Sequence, residues 1–171
     1  NIMTMKKFFL LCIALLSIVL FCACESTEGP AQSAEGTYIA NRKTEINKTL
    51  SPGNFASFNV NMVEKNVKVQ IKAVSDQFVE ITLPSTTFTG MGDPMIIPAI
   101  TVPNVPVLGD DDGDVDIVLY TYDDKEKGVF VQISGEIEDD GDIELKTTVK
   151  YGRMPLFLDQ EYYMPYDEPQ I

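Results

Sequence analysis

The stretch Gly128 to Tyr151, GVFVQISGEIEDDGDIELKTTVKY, decides the fold class. In its first run Val129, Val131, Ile133, Gly135 and Ile137 share one face, because side chains alternate along a strand, and Phe130, Gln132, Ser134, Glu136 and Glu138 take the other. In the second run Ile143, Leu145, Thr147, Val149 and Tyr151 alternate with Asp142, Glu144, Lys146, Thr148 and Lys150. This is the pattern of a half-buried hairpin. A two-residue turn at Asp140-Gly141 would set Ile137 against Glu144 and mix the faces. A three-residue loop, Asp139-Asp140-Gly141, sets Ile137 against Ile143, Ile133 against Thr147 and Val131 against Val149, and puts Gly141 where φ is positive.

The same test extends one strand upstream, where Val115, Ile117, Leu119 and Thr121 alternate with Asp114, Asp116, Val118, Tyr120 and Tyr122. Pairing Leu119 with Val131 and Ile117 with Ile133 makes a three-stranded meander. Its candidate interior is Val115, Ile117, Leu119, Val129, Val131, Ile133, Leu145 and Val149. The same register lines up Tyr120, Phe130 and Lys150 across the outward face. Ordinary cross-strand packing explains such a row, with a cation-π contact from Lys150; on an anchored domain it is also a candidate partner surface.

The chain has 171 residues and a formal charge of -13, which becomes -15 if Lys6 and Lys7 leave with a leader. That charge argues against nucleic acid as a partner, and none is expected. There is no His, no Trp and, beyond Cys24, no Cys. That removes Ser-His-Asp and Cys-His catalysis, zinc sites and disulfides, and the expectation is a non-enzymatic domain with no cofactor. Paired carboxylates remain the one catalytic class to weigh, but almost every acid lies on a polar face or in a turn rather than in an apolar pocket.

The first residues read as a processing segment. Asn1 to Thr4 lie upstream of a start at Met5, Lys6-Lys7 precede the apolar run Phe8 to Ala23, and that run is shorter than the roughly 20 residues of a spanning helix. Residues 1–23 are therefore expected to be a signal peptide. Phe21-Cys22-Ala23-Cys24 resembles a bacterial lipobox, which implies cleavage before Cys24 and its lipidation, although Phe21 and Cys22 depart from the usual residues. Residues 24–35 read as the lipidated cysteine and a flexible tether reaching roughly 18 Å. Residues 36–163 are the expected barrel or sandwich domain and 164–171 a loose tail.

Within that domain short strands recur at turn spacing: a weak one from Gly36 to Thr49, one on Phe58, Val60 and Met62, one on Val67, Val69, Ile71 and Ala73, and one on Val79, Ile81 and Leu83. No helical period competes, so the class is all-β, a sandwich or a barrel. Pro94, Pro98, Pro103 and Pro106 interrupt Met95 to Leu108, which predicts an edge, a bulged strand or a loop over a barrel mouth. Met91, Met95, Ile96 and Ile97 fit core or lid. A last strand lies in Pro155 to Tyr163, with Leu156 and Leu158 on one face.

The order of these features resembles the calycin-like β-barrel domain of small secreted lipoproteins of gut Bacteroidota. The resemblance rests on Gly36-Thr37-Tyr38, on Ile100-Thr101-Val102-Pro103-Asn104-Val105-Pro106-Val107, on Val131 to Ile137 with its acidic turn, and on Val149-Lys150-Tyr151-Gly152. It covers most of the chain after residue 35. It implies a roughly eight-stranded antiparallel up-and-down barrel related to lipocalins, lipid-anchored in the outer membrane on its periplasmic or cell-surface side. Glu25 and Glu28 resemble the acidic surface-export signals of that phylum. No catalytic residues come with the family.

The acidic loops invite a metal reading. Asp110, Asp112 and Asp114 have the look of a calcium loop, but an EF-hand with its glycine at Gly113 would need ligands from Leu108 and Leu119, which have none to give. DDGD recurs at Asp139 to Asp142, so a solvated turn device is the expectation and no metal site is assigned. Two functions then compete. The first is a barrel binding a small, largely apolar ligand, since the inward face as read carries no charge; the second is a surface scaffold or assembly subunit with a filled barrel and a protein partner.

Overall fold

The computed structural model describes residues 28–53, 61–88 and 93–164. A single helical turn, α1 (Pro30–Ser33), is followed by ten strands: β1 (Gly36–Ile46), β2 (Asn61–Ser75), β3 (Phe78–Leu83), β4 (Thr86–Phe88), β5 (Met95–Ile97), β6 (Ile100–Gly109), β7 (Val115–Asp124), β8 (Val129–Ile137), β9 (Ile143–Tyr151) and β10 (Leu158–Tyr163). Eight of them close a barrel in the order β1-β2-β3-β6-β7-β8-β9-β10, each antiparallel to its neighbours, and β4 and β5 form a separate ribbon between β3 and β6. The fold is the expected up-and-down barrel.

The hairpin of β8 and β9 has the register argued from its faces: Val131 opposes Val149, Ile133 opposes Thr147 and Ile137 opposes Ile143. Its loop closes on hydrogen bonds from Glu138 N to Asp142 O and from Gly141 N to Glu138 O, both 2.9 Å. Gly141 has φ +91, and a Cβ built there meets nothing within 4 Å. Gly141→Val is therefore expected to cost about 1 to 2 kcal/mol through backbone strain alone. Asp140→Asn, which keeps the oxygen that accepts from Asp142 N, should cost far less. Denaturant midpoints at unchanged slope decide between them.

Three strands carry a bulge that flips which residues face inward, and β2 has a second irregularity between Ala73 and Ser75. On β2, Lys65 and Asn66 oppose the single residue Asn41, with Asn66 at φ 57, so Met62 and Glu64 face in before the bulge and Val67, Val69 and Ile71 after it. The parity change that suggested two strands belongs to one strand of 15 residues; Phe58 and Val60 lie outside the described residues. On β6, Pro103 and Asn104 oppose Glu80, with Asn104 at φ 53, and buried Ile100 and Val102 give way to buried Val105 and Val107. Pro103 sits in the bulge, where the ladder asks no donor of it.

The third bulge corrects the meander. Ile117 opposes Gly135, but Tyr120 opposes Ile133 and Tyr122 opposes Val131, so Val118 and Leu119 together face the single Ser134. Leu119 is 65% exposed and is not an interior residue; Tyr120 and Tyr122 turn inward and pack against the core in its place. Tyr120 consequently leaves the outward row. Bulges bend and twist a strand, which is what a sheet needs in order to close on itself.

The tether reading is corrected from Gly29 onward. Ala31 and Ala34 are fully buried against the barrel end, Ala31 N donates to Asp76 O at 3.2 Å, Glu35 accepts from the amide of Ala73 at 2.9 Å, and Tyr38 Oη donates to Ala34 O at 2.8 Å. One turn with two small apolar residues suffices to cover that rim. The proline-rich segment supplies the ribbon and the bulged β6: Ile97 is buried, Met95 half-buried and Ile96 68% exposed, while Met91 lies outside the described residues. Leu156 and Leu158 are both buried, although β10 begins only at Leu158. Cys24 and the tail from residue 165 lie outside the described residues.

Candidate functional site

Of the eight residues expected inside, Val115, Ile117, Val129, Val131, Ile133, Leu145 and Val149 are buried, and only Leu119 is not. They belong to one core with Val69, Val79, Ile81, Val102 and Leu158 from the other strands of the barrel. Ala40, Val69, Val79, Ile81, Val102, Val105, Val131, Ile133 and Leu158 are all 0% exposed. A side chain lining a water-sized void would retain accessible surface, so the barrel axis beside these residues is filled.

The inward face also carries a charge, contrary to the reading from β6 to β9. Arg42 on β1 is 0% exposed. Its Nε donates to Glu64 Oε2 at 2.9 Å, Nη2 to the same oxygen and to Ser85 O at 2.8 Å, and Nη1 to Pro84 O at 3.0 Å. Its Cζ lies 5.8 Å from the ring centre of Tyr162. Tyr162 Oη donates to Gln160 Oε1 at 3.0 Å, and Gln160 Nε2 donates to Thr86 Oγ1 at 2.9 Å. Burial pushes the Tyr162 phenol up, with Arg42 acting in the opposite direction. This buried network ties the start of the β4–β5 ribbon to β1 and β10. A guanidinium whose fork is occupied by one carboxylate and two carbonyls is a structural strut. The clue was available: Arg42 shares parity with Ala40, Thr44 and Ile46.

On the outer wall Phe130 pairs with Lys150 across β8 and β9, but the third member of the patch is Phe157, not Tyr120. Phe157 meets Phe130 edge to face with ring centres 5.5 Å apart, and Lys150 Nζ lies 5.1 Å from the Phe157 ring. The acidic loops behave as turns. Asp110 Oδ1 accepts from the amides of Asp112, Gly113 and Asp114 at 2.9 to 3.0 Å, and Asp114 Oδ1 accepts from Asp139 N at 2.9 Å. Carboxylates of Glu138, Asp140 and Asp142 converge within 4.8 Å. Partial desolvation, then the charges of Asp140 and Asp142, push Glu138 up.

The wall is incompletely laddered at one seam. Between β6 and β7 only Val107, Leu108 and Gly109 pair, with Ile117, Asp116 and Val115. Val107 N turns to Gln77 O at 2.9 Å, so the next amide along would face β7, and Pro106 has none. Beyond that point both strands bulge, and a cleft of about 460 Å³ opens between Ile100 and Thr101 on one side and Tyr122 and Lys127 on the other, floored by Val129 and Tyr151. Tyr122 Oη donates to Asp124 Oδ2 at 3.1 Å, and Lys127 pairs with Asp124 at 3.2 Å. Desolvation, then the bond to Asp124, push the Tyr122 phenol up. The larger groove, about 500 Å³, crosses the outer wall over Ser134, Lys146 and Glu161 and is polar.

With this geometry the chain is similar to a solved structure from Bacteroides fragilis NCTC 9343, a "putative outer membrane protein": TM-score 0.56 and 24% identity over 80% of this chain and 52% of that one. The two share a barrel fold. The chain spans about half the length of that protein. No family model and no curated protein matches the chain.

Proposed function

We propose that this protein is a non-catalytic lipoprotein of calycin-like fold, anchored to the outer membrane through Cys24, whose filled barrel is a rigid body for docking a protein partner. The filled interior supports this reading over an enclosed apolar ligand: the axis is taken up by core side chains and by the Arg42 network. A second reading, a small ligand held at the rim, draws support from the open cleft beside Tyr122 and Tyr151.

Two experiments test the proposal. Cys24→Ala is expected to abolish labelling by a palmitate analogue and release the protein from the membrane fraction, since acyl chains are the only strong anchor proposed; equal labelling of both forms contradicts the site. Photo-crosslinking residues placed at exposed Leu50, Val74 and Leu119 of the lipidated protein should yield a discrete protein adduct at one face. No adduct at any of the three removes the docking reading.

A further inference from the structure

We propose that the unpaired seam between β6 and β7 is a strand acceptor, taking an extended segment of a partner protein whose side chains alternate between apolar and basic. The proposal rests on the docking reading and says where the partner binds and by what chemistry. The free edge of β7 carries it. β8 pairs with β7 at eight positions, out to Asp124 and Val129, whereas β6 reaches only Ile117. From Tyr120 to Asp124 one edge of β7 is satisfied by β8, and among the described residues no strand pairs with the alternate amides and carbonyls of the other edge.

Strand edges are normally blunted by proline or lysine. Here that protection lies on one side only: β6 has Pro103 and Pro106, while Val115 to Asp124 contains neither proline nor lysine. The outer lip is apolar, with Leu108 54%, Val118 37% and Leu119 65% exposed, so an added strand gains apolar burial along with its hydrogen bonds. The cleft between Thr101 and Tyr122 supplies room at the open end.

Charge selects the occupant. β6 has no ionisable side chain, the open part of β7 ends on Asp123 and Asp124, of which Asp124 is already paired with Lys127 at the cleft, and the whole chain carries -13. A second copy would bring the same acidic edge and the same net charge, which opposes self-pairing. A segment with Lys or Arg at alternate positions meets Asp123, at the open end of the seam, with opposite charge.

Amide hydrogen exchange on the full mature chain tests this with a peptide of about nine residues alternating valine with lysine, long enough to follow Val118 to Asp124. The seam-facing amides of Val118 to Asp124 should exchange at least about tenfold more slowly with peptide bound. Methylating the peptide's backbone nitrogens along one edge should abolish that protection, and Leu119→Lys should weaken binding. Absence of protection there overturns the proposal, and so does protection indifferent to N-methylation, which would be charge attraction alone. Protection that grows with protein concentration and needs no peptide makes a second copy the occupant and overturns the partner assignment. A crosslinked adduct at Leu50 or Val74 with none at Leu119 removes the seam and leaves the docking reading standing.

Discussion

Glu64→Gln is expected to destabilise the barrel by about 3 kcal/mol, because it leaves the guanidinium of Arg42 buried without its carboxylate. Arg42 is 0% exposed and Glu64 is 29% exposed, so water reaches the acid but not the base. That asymmetry puts the cost of losing the acid toward the lower end of the 3 to 5 kcal/mol typical of broken buried pairs. Arg42→Ala should cost at least as much, since it removes the donors to Pro84 O and Ser85 O and leaves a void beside Tyr162. The informative comparison is the double variant Arg42→Met with Glu64→Leu. If the network is a strut that fills space, the double variant should recover most of the stability, because replacing a buried pair by apolar groups of similar volume is often neutral or favourable. Urea midpoints with a common slope measure all three. A double variant as unstable as the sum of the two single changes would show that the polar geometry, and not the filling, holds the ribbon end.

Gly135→Ala should cost about 3 kcal/mol or more for a steric reason. Gly135 faces inward on β8 opposite Leu145, and a Cβ there would lie 2.1 Å from Glu144 O and 2.9 Å from Leu145 Cα. Backbone atoms of β9 cannot move aside without breaking the ladder, so the penalty exceeds the 1 to 3 kcal/mol usual for overpacking a core that can relax. Ile133→Val, one inward position away, removes a methylene from a fully buried site and should cost only about 0.5 to 1.5 kcal/mol. If Gly135→Ala proved milder than Ile133→Val, β8 and β9 would be farther apart than described.

Much of this barrel is legible in the alternation of its strands, most completely where two strands pair without irregularity. The β8–β9 register followed from requiring that Ile137, Ile133 and Val131 find apolar or neutral partners on one face, and a single loop length satisfies that. Alternation misleads where a strand bulges, since one extra residue reverses its sense. Met62 and Val67 read as two strands, and Leu119 read as interior and Tyr120 as exterior, for this one reason. The asparagines at positive φ, Asn66 and Asn104, are the local sign of two of the four register shifts, because asparagine tolerates the left-handed region. Val118-Leu119 carries no such sign. α1 was missed because two alanines three apart make too short a pattern to separate from a tether, and their burial depends on Asp76, some 40 residues on. The Arg42 network was missed because its partners, Glu64, Pro84, Ser85 and Tyr162, come from three separate connections that only barrel closure brings together.

Burial and alternation describe a barrel whose inside is occupied by its own side chains, and the proposed function puts recognition on its wall. Native mass spectrometry of the lipidated protein, extracted under gentle conditions from the cells that make it, tests that claim most directly. The predicted spectrum shows the processed chain with its acyl groups and no further small molecule. A stoichiometric extra mass of a few hundred daltons that leaves only when the chain unfolds, the behaviour of a compound enclosed in a barrel, would contradict it.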